Sequence, residues 1–194
     1  MVVDVNDVYV LVWTMIYIAR HGQTDWNVAR RLQGGTDIPL NATGRAQAKD
    51  AGADLKSRNI KIDQIISSPK LRAAQTAEII NENIGAPLIH DERLRERCFG
   101  ELEGQIIPEI TEEQWGRFRA NPKSFGAETF AEVFDRVKEL ITGLDKTKTT
   151  LLVSHAVTIR VILYAAKHQT YNEDEFMANF WNLQVENAKI IEYN

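Results

Sequence analysis

Cysteine is almost absent from this sequence, which contains one such residue, Cys98, among 194. A single cysteine cannot form a disulfide within the chain, and this suits a reducing compartment. The histidines do not form close ligand pairs, and no Cys-x-x-Cys motif occurs, which argues against a zinc site. We therefore expect a cytoplasmic protein that has no metal ion in its functional site.

Long apolar runs and an excess of positive charge are also missing. The apolar stretch at residues 8–19 is too short to span a bilayer, and two acidic residues, Asp4 and Asp7, precede it where a signal peptide is positively charged. The formal net charge is −4, whereas a general nucleic-acid-binding protein needs a basic face. We therefore expect neither a membrane nor a nucleic acid as a partner.

Short apolar runs alternate with amphipathic segments along the chain. Strands are predicted over residues 15–19, 64–66, 150–153 and 185–193, and helices over 43–57, 69–84, 112–120, 128–144, 157–167 and 173–181. Thr43 is predicted to cap the first of these helices, and Pro69 to lie in the first turn of the second. The alternation predicts an α/β fold, a three-layer α/β/α sandwich with a mostly parallel central sheet flanked by helices.

Three of the predicted strands end in residues suited to binding phosphate. The first runs into Arg20-His21-Gly22, the second into Ser67-Ser68-Pro69 with Arg72 one turn further, and the third into Ser154-His155. Because the carboxyl ends of parallel strands meet at one edge of a sheet, we expect two arginines and two histidines to gather there. Guanidinium groups match phosphate oxygens, and helix N-termini attract anions.

This set of residues also suits phosphoryl transfer. Neighbouring cations lower the pKa of an imidazole, and a neutral imidazole can attack phosphorus, while a second, charged histidine would stabilise the transition state. Residues 94–100 contain Glu96, and a carboxyl group beside a phosphate dianion keeps its proton and can protonate a leaving alcohol. Glu101 and Glu103 flank this position and compete for the role, although the spacing favours Glu96.

Together these motifs resemble the histidine phosphatase superfamily, also called the phosphoglycerate-mutase-like family, over residues 15–191. The residues that carry the resemblance are Arg20–Thr24, Trp26, Asn27, Gln33, Gly34, Asp37–Leu40, Gly44, Ser67–Pro69, Arg72, Ala73, Gln75–Ala77, Glu96, Phe99, Gly100, Glu103, Gly104, Ser154 and His155. The resemblance implies that His21 is the residue that becomes phosphorylated and that Arg20, Arg72 and His155 form the phosphate pocket with it. It further implies Asn27 and Gln33 as polar supplements, Glu96 as the proton donor, and no cofactor.

The resemblance also bears on where the domain begins. In this family the first strand starts almost at the initiator methionine, and here Met15 stands in that place. We therefore interpret residues 1–14 as an N-terminal extension, which a misassigned start codon would explain. Residues 15–194 are interpreted as a single domain. The alternative is that residues 9–13 add an edge strand to the sheet.

Three functions fit these residues. The first is a metal-independent phosphatase acting on a small phosphomonoester, and a short cover over residues 106–125 predicts an open site of broad specificity.

The second is a cofactor-dependent phosphoglycerate mutase. Against it, Ala156-Val157-Thr158 stands where mutases of the family carry Gly-Asn-Ser, and residues 104–125 offer only Arg117 and Arg119 for a substrate carboxylate. The third is a phosphate-binding module without turnover, which the intact His21, Glu96 and His155 disfavour. The sequence carries little information on oligomeric state.

Overall fold

The computed structural model describes residues 15–182 and 184–193. Within these ranges, strands β1 to β5 are Ile16–Arg20, Gln64–Ser67, Leu88–His90, Thr150–Ser154 and Ile190–Tyr193. They form one sheet in the order β3-β2-β4-β1-β5. Strands β1 to β4 run parallel to one another, and β5 pairs antiparallel with β1 at the edge of the sheet. The mostly parallel sheet is thus confirmed, whereas β3 was not predicted and the predicted last strand is shortened to β5.

Helices α1 to α7 of the described residues are Asp25–Val28, Ala42–Ser57, Leu71–Asn81, Glu112–Ala120, Phe130–Thr142, Ala156–Ala165 and Glu173–Phe180. Short 3-10 turns are formed by Glu92–Leu94, Gly100–Leu102, Ile107–Glu109 and Pro122–Phe125. Two predicted helix starts are wrong. Asn41 caps α2 instead of Thr43, because its side chain accepts a hydrogen bond from Gly44 N. Helix α3 begins after Lys70, so Pro69 precedes the helix.

The sheet buries both of its faces, because successive side chains along a strand point to opposite sides. On β1, Ile16 and Ile18 pack in one apolar cluster with residues of α5, α6 and α7. Tyr17 and Ala19 pack in a second cluster with residues of α2 and α3. Strands β2 and β4 divide their side chains between the same two clusters. The three-layer α/β/α sandwich is thereby confirmed.

A smaller apolar cluster lies beneath the cover at residues 106–125. Phe118 of α4 is its centre, packing against Phe99 and Phe125 with ring-centroid distances of 6.0 and 5.6 Å. Trp115 is partly buried against the same cluster. The cover is therefore anchored to the segment that follows Glu96.

Among the described residues, no helix has the length and apolar character needed to cross a membrane. The proposed extension over residues 1–14, with its edge-strand alternative, lies outside those residues. Its separation from a single domain stays a prediction, as does the cytoplasmic location.

Candidate active site

Strands β1 and β4 bring the two strand-end histidines together. Arg20 pairs with Ser154 in the parallel ladder, and His21 N donates a hydrogen bond to Ser154 O at 2.9 Å. His155 follows directly, so the ring centroids of His21 and His155 lie 5.2 Å apart. Both side chains are buried, with exposed fractions of 3% and 0%. The predicted gathering at the carboxyl edge of the sheet is therefore present in the structure.

The imidazole of His21 is oriented by its own turn. Its Nδ1 lies 2.7 Å from Gly22 O, and a carbonyl oxygen can only accept, so Nδ1 carries the proton. Burial, together with the charges of Arg20 and Arg72, lowers the pKa of His21 well below 6.5. The ring is therefore neutral at physiological pH, and its Nε2 presents a lone pair.

A close backbone contact explains the glycine after this histidine. A Cβ atom on Gly22 would lie 2.4 Å from Gly44 O, and one on Gly44 would lie 2.1 Å from Gln23 O. The turn after β1 therefore fits against the start of α2 only because both positions lack a side chain.

His155 is held by a serine from the neighbouring strand end. Its Nε2 lies 2.8 Å from Ser68 Oγ, and Ser68 N donates to Val153 O. Nδ1 of His155 is buried without a hydrogen-bond partner among the described residues. Burial, followed by the charges of Arg72 and of His21, lowers the pKa of this histidine as well. In the ligand-free protein His155 is therefore neutral, not the charged group that the transition state would require.

The two predicted arginines are each held by backbone carbonyls. Arg20 Nη1 donates to Val185 O at 2.8 Å, and Arg72 donates from Nη1 to Thr36 O and from Nη2 to Gly34 O, both at 2.7 Å. The Nε of each arginine is buried and, within the part of the chain that the structure describes, has no hydrogen-bond partner. Burial lowers the pKa of both, but a guanidinium keeps its charge at neutral pH.

The Glu96 side chain is hydrogen-bonded to the first turn of α6, the helix that follows His155. Oε1 accepts hydrogen bonds from Arg97 N at 3.0 Å and from Thr158 N at 3.1 Å, and Oε2 accepts one from Val157 N at 3.2 Å. Glu96 is 8% exposed, and the charge of its carboxylate acts on both Arg20 and Arg72. Sequence reasoning missed the part played by Thr158, since only the fold places this helix start beside residue 96.

Glu103, the rival for the proton-donor role, is committed elsewhere. Its two oxygens accept hydrogen bonds from Gly35 N, Thr36 N, Thr36 Oγ1 and Phe99 N at 2.7 to 3.0 Å. Burial opposes the ionisation of Glu103, but these hydrogen bonds outweigh it and lower the pKa below its usual value. Glu101 is exposed. Glu103 therefore shapes the loop that carries Gly34 and Thr36.

Asn27 and Gln33 were implied as supplements to the pocket. Asn27 Oδ1 accepts from Thr24 N at 3.0 Å in the capping box of α1. Gln33 is 8% exposed, and its Oε1 has no partner among the described residues. No hydrogen bond in those residues joins either side chain to the histidines or arginines of the site, so their role stays a prediction. The described residues also contain no group of three or more His, Cys, Asp or Glu side chains placed to hold a metal ion.

Comparison with known proteins agrees with this geometry. The histidine phosphatase superfamily (branch 1) matches residues 16–194. The uncharacterized phosphatase PhoE of Bacillus subtilis is 38% identical over 156 residues, which cover 77% of this chain and 76% of PhoE. The probable phosphoglycerate mutase GpmB of Salmonella paratyphi A is 39% identical over 153 residues, covering 74% and 70% of the two chains.

A solved structure is similar over most of the chain. The mycobacterial glucosyl-3-phosphoglycerate phosphatase, determined in complex with VO3, superposes with a TM-score of 0.76 at 29% identity, covering 92% of this chain and 90% of its own. The present chain belongs to the histidine phosphatase superfamily, and it is a phosphoric monoester hydrolase of the histidine phosphatase type. The resemblance noted in the sequence is thus confirmed.

Proposed function

We propose that this enzyme is a metal-independent phosphatase that hydrolyses small phosphomonoesters through a phosphohistidine on His21. One observation carries the proposal. Three buried side-chain nitrogens, Arg20 Nε, Arg72 Nε and His155 Nδ1, lack hydrogen-bond partners among the described residues, and all three belong to groups that act electrostatically on one another. Buried polar atoms are nearly always satisfied, so this set favours a ligand with several acceptor oxygens, such as a phosphoryl group.

In the first step, His21 Nε2 attacks phosphorus while the bond from phosphorus to the ester oxygen breaks. The leaving oxygen takes a proton from Glu96. Oε2 is the better placed oxygen to carry that proton, because it accepts one backbone hydrogen bond and Oε1 accepts two. In the second step, Glu96 removes a proton from water, the water oxygen attacks phosphorus, and the P–N bond breaks. His21 returns to its neutral state.

Arg20, Arg72 and His155 hold the phosphoryl oxygens during both steps. Arg20 donates to one backbone carbonyl and Arg72 to two, so both guanidinium groups need little reorganisation as charge moves to the equatorial oxygens. Burial lowers the pKa of His155, and the negative charge of a bound dianion raises it again. The dianion therefore favours the charged imidazole. Asn27 and Gln33 are proposed as further polar contacts.

A phosphoglycerate mutase is the second candidate, since GpmB carries that name. Both arginines of the cover are already engaged: Arg119 pairs with Glu112 at 3.2 Å, and the Arg117 guanidinium lies 5.8 Å from the Phe125 ring centroid. A substrate carboxylate would thus lack a dedicated clamp in the cover. A binding module without turnover does not agree with the enzyme class.

The test is phosphate release from a panel of phosphomonoesters in the presence of a chelator. The panel contains 3-phosphoglycerate, sugar phosphates and an aryl phosphate, and acid-labile labelling of His21 is followed in parallel. We expect release that survives chelation and labelling that His21→Ala abolishes. His90→Ala is the matched control, because His90 is exposed at the end of β3. Loss of release in chelator, or phosphoryl exchange between phosphoglycerates with 2,3-bisphosphoglycerate in place of release, would overturn the proposal.

A further inference from the structure

A second cavity of about 620 Å³ lies apart from the phosphate pocket. Its walls come from the end of α4 and the turn that follows it, the start of α5, Tyr171 with the first turns of α7, and Arg97. None of its lining residues is His21, His155, Arg20, Arg72 or Glu96. The cavity is therefore separate from the groups proposed to act on phosphate.

Arg97 is a buried cation in this cavity wall, and none of the described carboxylates is hydrogen-bonded to its guanidinium. It is 4% exposed, and its Nε donates to Glu128 O at 2.7 Å. Within the described residues its Nη atoms donate no hydrogen bond, and the carboxylates whose charges act on it, Glu96, Glu128 and Glu173, lie beyond ion-pair distance. The guanidinium instead lies 4.0 Å from the ring centroid of Phe130 and 5.0 Å from that of Phe118. Buried charges are ordinarily hydrogen-bonded to an opposite charge, so the unused Nη donors of Arg97 favour an anionic ligand.

Tyr171 supplies a second unpartnered donor to the same cavity. Its hydroxyl is buried and has no hydrogen-bond partner among the described residues. Burial raises the pKa of Tyr171, so the hydroxyl keeps its proton at physiological pH. A phenol O–H and a guanidinium fork together match the two oxygens of one carboxylate.

The rim of the cavity decides between classes of anion. Its basic residues are already paired, Arg119 with Glu112 and Lys123 with Glu132. Glu173 and Asp174 also line the cavity and oppose additional negative charge. The rim therefore favours a monoanion over a phosphate dianion.

We propose that this cavity binds a small organic monocarboxylate with an apolar body. Arg97 and Tyr171 bind the carboxylate, and the rings of Phe118 and Phe130, with Met177, enclose the apolar part. Arg97 N donates to Glu96 Oε1, so the ligand would lie next to the segment that carries the proposed proton donor.

The experiment is a calorimetric titration of the full chain with benzoate, phenylacetate and hexanoate, in saturating orthovanadate to occupy the phosphate pocket. We expect saturable binding of at least one carboxylate, and weaker binding of phenylphosphonate at pH 8, where it is a dianion. Arg97→Met keeps the apolar stem and should lower affinity by about tenfold or more, and Tyr171→Phe by about threefold to tenfold. Arg119→Gln, on the rim, is the matched control and should bind as the parent does.

Circular dichroism and thermal unfolding check that each variant is folded. Arg97→Lys keeps the charge and serves if Arg97→Met does not fold; it should weaken binding because it loses the planar fork. The proposal is wrong if no carboxylate binds, if orthovanadate abolishes the binding, or if the folded Arg97 and Tyr171 variants bind as tightly as the parent.

Discussion

Glu103 and Arg72 hold one loop from opposite sides. The Glu103 carboxylate accepts from Gly35 N at 2.8 Å and from Thr36 N at 2.9 Å, while Arg72 donates to Gly34 O and Thr36 O at 2.7 Å. Glu103 also accepts from Phe99 N, three residues after Glu96. One carboxylate thus connects the loop that positions the Arg72 guanidinium to the segment that carries the proposed acid.

Replacing Glu103 by glutamine should weaken this loop without removing any group proposed to touch substrate. The amide offers one acceptor oxygen in place of two, so at least one part-buried N–H loses its partner, at a cost of about 1 kcal/mol. We expect kcat/KM to fall about tenfold, chiefly through KM, with a lower Tm. Steady-state kinetics and thermal unfolding measure both effects. Glu101→Gln, at an exposed position, is the control, and equal behaviour of the two variants would contradict this role.

His21→Ala should remove turnover, because no other group is proposed to attack phosphorus. We expect kcat to fall by about 10³-fold or more, as for other enzymes that lose their nucleophile. Initial rates of phosphate release on the best substrate measure this loss. The variant should remain folded, so it should still bind inorganic phosphate in a calorimetric titration. A variant with more than a few per cent of the parent activity would refute the nucleophile assignment.

Glu96→Gln should have an effect that depends on the leaving group. An alkyl alcohol leaves only with a proton, so kcat on a sugar phosphate should fall by about 10²–10⁴-fold. 4-Nitrophenolate needs no proton, so the rate of phosphohistidine formation from 4-nitrophenyl phosphate should fall much less. Rapid-quench measurement of that first step separates the two cases. An equal loss on both substrates would point to a purely structural role for this carboxyl group.

The pH dependence should report the neutral state of His21. Burial, Arg20 and Arg72 lower its pKa well below 6.5, so the nucleophile stays unprotonated as pH falls through 6.5, and its protonation limits activity only at lower pH. Removing a neighbouring cation raises that pKa, which moves the acid limb of the kcat/KM profile to higher pH.

Arg20→Gln is the variant for this measurement, with Arg58→Gln, at the exposed end of α2, as a control for the loss of one positive charge. Both are compared with the parent on one substrate, so that ionisation of the substrate affects all profiles equally. An unchanged acid limb in Arg20→Gln would show that this limb does not report His21.

The sequence alone determined the alternation of strands and helices, the parallel sheet and the family. These features follow from local signals: apolar runs of strand length, and polar residues such as His21 and His155 placed directly at the strand ends. The same local signals misplaced the start of α2, because Asn41 and Thr43 are both acceptable caps, and it is Asn41 that has the extended backbone of a cap and accepts from Gly44 N.

The tertiary structure decided which partner each polar side chain has. Glu103 binds a loop 68 residues earlier in the chain, and Glu96 binds a helix start 61 to 62 residues later. The residues that line the cavity around Arg97 likewise come from three separate segments, at 118–123, 129–131 and 171–177. Periodicity and spacing report only neighbours along the chain, whereas these partners are set by how the sheet, the helices and the cover pack. The catalytic roles stay predictions, while the packing explains why Glu103 shapes a loop and Glu96 lies near Arg20 and Arg72, the residues proposed to bind phosphate.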